Sequence, residues 1–305
     1  MNDELFEKYR TAGQIAAYAR DEGAKRIKPG VPIVDVVSFI ESYIKKEGAV
    51  PAFPVNIAIN DLAAHFTPKE NEVQLFQTGD IVKLDVGAHI DGYIADTAIT
   101  IQVESSSYES LITASEKALE HAIRLMKPNV SPSTIGGAVQ ETISSFGFRP
   151  IENLTGHSLS HYTLHAGLSI PNVSSMGFTG KPKVGDVIAV EPFATNGSGK
   201  VISGNGSNIY LVNSGLHLRY FRDQRTKLHI TTLKQLFRSL PFAHRWCTPH
   251  FSNTDIILQR LCHFGLVHHY PQLIEQNHGM VTQKEHTLII TQQGCEVTTY
   301  GKNEG

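Results

Sequence analysis

Cysteine is scarce in this chain: Cys247, Cys262 and Cys295 are the only three in 305 residues. They form no CxxC pair, so they build neither a thiolate metal knot nor a disulfide framework. An odd, scattered set fits a reducing compartment and a structural role. No sign of charge dominates either. The 27 Lys and Arg nearly balance the 29 Asp and Glu, for a net charge of −2. That leaves no electrostatic case for nucleic acid or an anionic membrane as partner. Long apolar runs are also missing, and none approaches the roughly 18 residues of a membrane span. The start, MNDELFEKYR, is acidic and amphipathic and does not read as a signal peptide. There is no low-complexity tract. What remains, 41% hydrophobic and 18% charged residues, is the composition of a soluble globular protein. The length suffices for a full core, in one large domain or two. The expectation is a cytoplasmic protein, with monomer as the default because no oligomerisation surface is evident.

The chain does contain a repeat. Gly79-Asp-Ile-Val-Lys-Leu-Asp85 returns as Gly185-Asp-Val-Ile-Ala-Val-Glu191. Each copy reads as a turn feeding a buried strand that ends on an acid. A carboxylate at such a place must be paired, protonated or metal-bound, because burying it bare is costly. Two copies suggest a duplicated core whose acids converge on one site. The alternative is chance, since Gly-Asp before a strand is common.

The first copy continues into a hairpin, residues 81–87 and 93–101, around Asp91-Gly92. That dipeptide is a strong two-residue turn signal. With those two residues as the loop, Ile90 pairs with Tyr93 and Asp85 with Ala98. Asp96 then shares a face with Asp85 as a diagonal neighbour, about 7–8 Å away at the backbone. Two such carboxylates can clamp a pair of metals about 3.5–4 Å apart. A one-residue slip would put them on opposite faces.

Helical periodicity predicts helices over 3–27, 34–47, 107–127 and 131–146, with Pro29-Gly-Val-Pro32 breaking the first from the second and Gly147 stopping the fourth. Strands are expected near 151–156, 164–170, 186–194, 201–212, 285–291 and 295–300. The class is α+β, a mostly antiparallel sheet covered by helices. Residues 226–240 and 253–266 carry helical periodicity and interrupt the second half, ending at Gly265 and a Tyr270-Pro271 break. The expected organisation is one catalytic domain, 1–305, with a helical insertion subdomain at 218–272.

Further chemistry lies in Asn153-Leu-Thr-Gly-His157-Ser-Leu-Ser-His161-Tyr-Thr-Leu-His165-Ala-Gly. An isolated histidine is more often structural than a ligand, but this cluster is dense. Gly156 permits a close backbone approach beside His157, and no role is expected for His161. Glu285 opens a β-prone strand and, by periodicity alone, reads as an exposed acid at a strand entry. Taken together, Asp85, Asp96, His157, Glu191 and Glu285 supply four carboxylates and one imidazole. Four carboxylates in one pocket repel strongly without cations. Two divalent ions cancel that charge, and a water between them can lose a proton near neutral pH and attack a carbonyl. The donor set suits Co, Mn, Fe, Ni or Zn without choosing among them. Asn196-Gly-Ser-Gly-Lys200 superficially suggests a phosphate loop. The motif needs Gly, four residues, then Gly-Lys-Ser/Thr, and here Ala194 stands at the first position and Val201 follows the lysine.

These segments together resemble the methionine aminopeptidases over nearly the whole chain. The matching stretches are HFTP around His65, KLDVGAHIDGYIADTA, NLTGHSLSHYTLHAGLSIPN, VIAVEPFATNGSGKV, LPFAHRW and EHTLII. The helical insertion before Glu285 resembles the type 2 subfamily, and the lack of a long charged N-terminal extension its archaeal branch. The resemblance implies the pita-bread fold, with two halves related by pseudo-symmetry. It implies that Asp85 binds one metal, that Asp96 and Glu285 bridge both, and that His157 and Glu191 complete the ligand set of the other metal. It further implies Glu191 as proton acceptor, His165 as donor to the oxyanion, and His65 as a contact to the scissile amide or leaving side. Phe53, Ile209 and Tyr270 fall where the family lines its methionine pocket. The implied substrate is the N-terminal Met of nascent polypeptides with a small second residue, and ribosome proximity is compatible with it. Proline-specific aminopeptidases share the fold and ligands but are expected to differ around the third ligand. Non-catalytic RNA- or ribosome-binding relatives lose ligands and carry basic tails, whereas TTYGKNEG is nearly neutral.

Overall fold

Each half of the chain lays two helices against a sheet. The computed structural model describes residues 3–213, 223–302 and 304. The first half runs α1 (Asp3–Ala24), α2 (Ile33–Lys46), β1 (Val50–Pro51), β2 (Asn56–Ile59), β3 (Leu62–Ala64), β4 (Ile81–Ile90) and β5 (Tyr93–Gln102). The second runs α3 (Glu109–Leu125), α4 (Pro132–Ser145), β6 (Arg149–Pro150), β7 (Thr155–Leu159), β8 (Ser169–Pro171), β9 (Val187–Val190), β10 (Phe193–Thr195), β11 (Val201–Val212), α5 (Gln224–Phe237), β12 (Phe242–Ala243), α6 (His244–Cys247), α7 (Thr254–His263), β13 (Val267–Glu275), β14 (Val281–Gln283), β15 (His286–Ile290) and β16 (Cys295–Val297). Among the described residues all strand pairs are antiparallel, as the α+β reading anticipates.

The helices form where the apolar spacing puts one face against a sheet. Ile33, Val36, Val37, Ile40 and Ile44 of α2 join Ala16 and Ala19 of α1 over Val82, Leu84 and Val86 of β4. In the second half, Leu111, Ala114 and Ala118 of α3 and Ile135, Val139 and Ile143 of α4 cover Ile188 and Val190 of β9 and Leu288 and Ile290 of β15. Pro132 is tolerated in the first turn of α4, where no N–H partner is lost.

The sequence repeat is one turn used twice. Gly79 and Gly185 adopt φ of 92° and 90°. Their N–H groups donate to Val103 O and Ile290 O, both at 2.8 Å. The Asp80 carboxylate accepts from Gln77 N and the Asp186 carboxylate from Lys183 N, again both at 2.8 Å. The strands that follow differ from expectation in one respect: β9 stops just before Glu191, but β4 continues through Asp85 to Ile90, because its hairpin with β5 extends that far.

The helical segment between β11 and β13 packs its own apolar cluster, including Ile230, Leu233, Phe242, Cys247, Leu258 and Leu261. Its described helices end at His263, and residues 218–222 lie outside the described residues. Tyr270-Pro271 is no break. It sits inside β13, where Pro271 opposes Gly206 between two register shifts, a bulge that tolerates the missing N–H. The strand expected at 164–170 is irregular until β8 begins at Ser169, and that expected at 151–156 begins only at Thr155. No described cysteine is disulfide-bonded, and no helix among the described residues is long and apolar enough to cross a membrane.

Candidate metal centre and active site

Asp91-Gly92 adopts positive φ at both residues, 49° and 85°, the backbone of a two-residue hairpin loop. The register follows: Ile90 pairs with Tyr93, Asp85 with Ala98 and Gly87 with Asp96. Asp85 and Asp96 therefore share a face. The hairpin is stitched to the second half beside Glu285. Ala98 and Glu285 exchange backbone bonds, Thr97 Oγ1 donates to Glu285 O at 2.9 Å, and Thr287 Oγ1 both accepts from Asp96 N and donates to Asp96 O at 2.8 Å. This lacing carries Glu285, just ahead of β15, to the Asp96 side chain. Glu285 is buried, contrary to what periodicity alone suggests.

His157 enters from β7. A β-carbon on Gly156 would lie 2.4 Å from Ala189 O, so only glycine lets β7 approach β9 this closely. His157 Nε2 then stands 3.7 Å from both an Asp96 and a Glu191 carboxylate oxygen. Asp96, His157 and Glu285 each present a ligand atom within 4.8 Å of the others. Gln283 Nε2 donates to Glu191 and Glu285, both at 3.4 Å. Asp85, Asp96, His157, His165, Glu191, Glu285, His65, Phe53, Ile209 and Tyr270 all line one cavity. His161 does not; its Nε2 lies 2.9 Å from Asp91 O, at the surface. Sequence reasoning did not single out Asn56, Ala64, Leu164 and Pro241, which complete the lining. They carry no clustered or repeated chemical signal, and only the strand pairing of Asn56 with Asp85 brings it in.

The electrostatics ask for cations. Burial pushes the Asp85 carboxyl up to about 7. Burial and neighbouring carboxylates hold Asp96, Glu191 and Glu285 well above the usual range. Asp85 Oδ1, Asp96 Oδ1 and Glu285 Oε1 are buried with no protein partner, although buried polar oxygens are ordinarily bonded. Hard oxygens with one imidazole and no thiolate fit a divalent metal. Burial also lowers the imidazoles, His157 to about 3, His65 to about 4, and His165 below its ordinary value, so all three are neutral and available as ligands or donors near pH 7. His65 follows β3 with φ of 61°, an uncommon conformation for a non-glycine residue and one found at functional sites. Its ring meets Tyr270 edge-on at 5.3 Å, and the His157 and His165 rings are 4.3 Å apart.

A second set of contacts holds the His65 segment. Arg245 of α6 donates to Thr67 Oγ1 at 2.7 Å and pairs with the buried Glu41 of α2. Glu41 also accepts from Trp246 Nε1 at 2.8 Å. The segment LPFAHRW thus ties the helical insertion to the first half.

A profile of metallopeptidase family M24 matches residues 7–219. A methionine aminopeptidase of Methanocaldococcus jannaschii is 44% identical over 98% of this chain and 100% of its own. Among solved structures, that of a thermophilic Arx1 superposes with a TM-score of 0.86 at 19% identity, covering 100% of this chain and 95% of that one. The prolidase of Pyrococcus furiosus superposes with a TM-score of 0.64 at 18% identity, covering 99% of this chain and 65% of that one. Those two likenesses establish the shared fold, and the sequence identity to the first relative separates this chain from the rest of the fold group. The chain belongs to the M24 metallopeptidases and, within them, to the methionine aminopeptidases.

Proposed function

We propose that this protein hydrolyses the first peptide bond of chains that begin with methionine, when the second residue is small. The observation that carries this reading is the meeting in one cavity of a carboxylate–imidazole cluster with an apolar wall of Phe53, Ile209 and Tyr270. In it, Asp85, Asp96, His157, Glu191 and Glu285 hold two divalent ions, drawn from Co, Mn, Fe, Ni and Zn. Bound there, such ions acidify water and polarise a carbonyl. Glu191 takes the proton of the attacking water and passes it toward the leaving amine. His165 donates to the oxygen that gains charge in the transition state. His65 faces the scissile amide and the second residue.

Phe53, Ile209 and Tyr270 receive the methionine side chain, and the segment 226–272 shapes the mouth of the cleft rather than forming a separate functional unit, with Pro241 and Tyr270 in the lining. The reading also takes the protein as a cytoplasmic monomer acting on nascent chains close to the ribosome, with no direct contact to nucleic acid. The test is release of Met from Met-Ala-Ser by protein loaded with each metal in turn, with metal content measured in parallel. Two ions per chain and turnover of Met-Ala-Ser, with none of Ala-Pro peptides, are expected. The reverse substrate preference would favour the proline-specific alternative. Metal-free protein without any peptidase activity after loading would favour a binding role.

A further inference from the structure

Asn56 is 6% exposed and lies opposite Asp85 in the β2–β4 register, so the two side chains leave the sheet on one face. It lines the cavity beside Phe53. Its Nδ2 donates to Pro54 O at 2.8 Å. A carbonyl accepts only from the amide nitrogen, so this bond fixes which way the amide points. Its oxygen, Oδ1, is buried and has no partner in the protein. Buried acceptors left in that condition are costly, so this one is held for a donor that arrives from outside. The lining contains no lysine or arginine; its donors are the imidazoles of His65, His157 and His165 and the Tyr270 hydroxyl, and none of them bonds this oxygen. The N–H of a bound substrate is a donor that the cavity can bring to it. A peptide bound with its first carbonyl at the carboxylate cluster and its first side chain on Phe53 brings its α-amine toward the wall to which Asp85, Asn56 and Phe53 all contribute.

We infer that Asn56 is a specificity-determining residue whose side-chain oxygen accepts a hydrogen bond from the substrate's free α-amine. This rests on the peptidase reading above and names how a free N-terminus is recognised. An amine that also coordinates a metal keeps two N–H bonds, so the two contacts are compatible.

The experiment compares L-methionine with 4-(methylthio)butanoate, the same molecule without its amine, by calorimetry on metal-loaded wild type, Asn56→Leu and Asn56→Ala. Wild type should prefer methionine. Both variants should lose about ten- to a hundredfold of that preference, the range for a hydrogen bond to a charged or metal-bound group, while binding the des-amino compound as wild type does. With Met-Ala-Ser, KM should rise more than kcat falls, as for lost ground-state binding. An unchanged preference, or a loss of metal in the variants that explains the whole effect, overturns the assignment. Should the variants not fold, a crystal structure of wild type with methionine decides. An amine nitrogen about 2.7–3.2 Å from Oδ1 supports the bond, and a separation beyond about 4 Å overturns it. Failure of the peptidase reading shows differently, as wild type that neither releases Met from Met-Ala-Ser nor prefers methionine to its des-amino analogue.

Discussion

A β-carbon on Gly87 would lie 2.1 Å from the ring of Phe53. Gly87 sits in β4 opposite Asp96, and its bare backbone lets the ring come close against the strand that carries Asp85. The wall of the proposed methionine pocket therefore depends on a missing side chain. Gly87→Ala should displace Phe53, which is itself buried, at a cost of about 1–3 kcal/mol for overpacking. Denaturant unfolding should register that loss, and KM for Met-Ala-Ser should rise. Adding Phe53→Leu should recover part of the stability. A variant with wild-type stability and KM would separate Gly87 from the pocket.

Metal removal should reverse how stability responds to pH. In the metal-free protein, Asp85 is raised to about 7 and its carboxylate neighbours are raised as well, whereas unfolded carboxyls titrate near about 4. The folded state then binds more protons than the unfolded state across that window. The contribution is fully present below about pH 4 and is lost as pH rises through about 7. Melting of chelated protein should accordingly fall between pH 5 and 8. Loaded protein should not share this fall, because cations favour the ionised carboxylates. A melting temperature of the chelated protein that climbs over that interval would contradict the buried-carboxylate account.

What the sequence made legible was whatever a local signal dictates. Asp91-Gly92 sets the hairpin loop, and the loop sets which face Asp85 and Asp96 occupy. The Gly-Asp repeat reports a turn whose hydrogen bonds recur at matching lengths in both halves. What stayed hidden depends on contacts between distant segments. Glu285 is buried because Thr97, Ala98 and Thr287 lace its strand to the hairpin, and no periodicity encodes that. Tyr270-Pro271 belongs to a strand because β11 supplies an irregular partner. Asn56 enters the cavity only through its pairing with β4.

The phosphate-loop-like segment 196–200 does bind an anion, but an internal one. Glu275 accepts from Gly199 N at 3.1 Å, Asn277 N at 2.7 Å and Gly279 N at 2.9 Å, and from Ser198 as well. Glu275→Gln would turn an amide N–H toward these donors. It should lower stability by about 1.5–3 kcal/mol, the range for hydrogen bonds to charged groups, and should leave the metal content unchanged. Urea unfolding checks the first and elemental analysis the second. Nucleotides should not raise the melting temperature of the wild type.

His165→Ala should retain metal and lose turnover. Its ring lies beside His157, and burial keeps it neutral, so its N–H can donate to a developing oxyanion. Removing one such donor costs about 10²–10³ in rate. The effect should fall on kcat more than on KM, because the bond matters mainly in the transition state. A variant with intact metal and an unchanged rate would take His165 out of the mechanism.

The second residue of the substrate should decide cleavage. With the amine and first carbonyl drawn to the cluster of Asp85, Asp96, His157, Glu191 and Glu285, the next side chain is brought against the wall near His65. That wall has little freedom to move. His65 is held in a left-handed backbone conformation, and Thr67 beyond it is bonded to Arg245 at 2.7 Å and to Val55 O at 2.8 Å. A large second residue would meet this wall before the carbonyl reached attack distance, and small misplacements cost rate steeply. A Met-X-Ser series should therefore show high kcat/KM for Gly, Ala, Ser, Thr, Pro, Val and Cys, and a sharp fall for Leu through Trp. The first pocket should discriminate less. A misfitted methylene there is worth only about 1–3 kcal/mol, so norleucine peptides should be cleaved slowly rather than refused. Arg245→Leu, which removes one of the bonds that hold Thr67, should relax the limit on the second residue more than it alters the preference for Met. Equal kcat/KM for Met-Ala-Ser and Met-Trp-Ser in wild type would show that the wall near His65 does not set specificity.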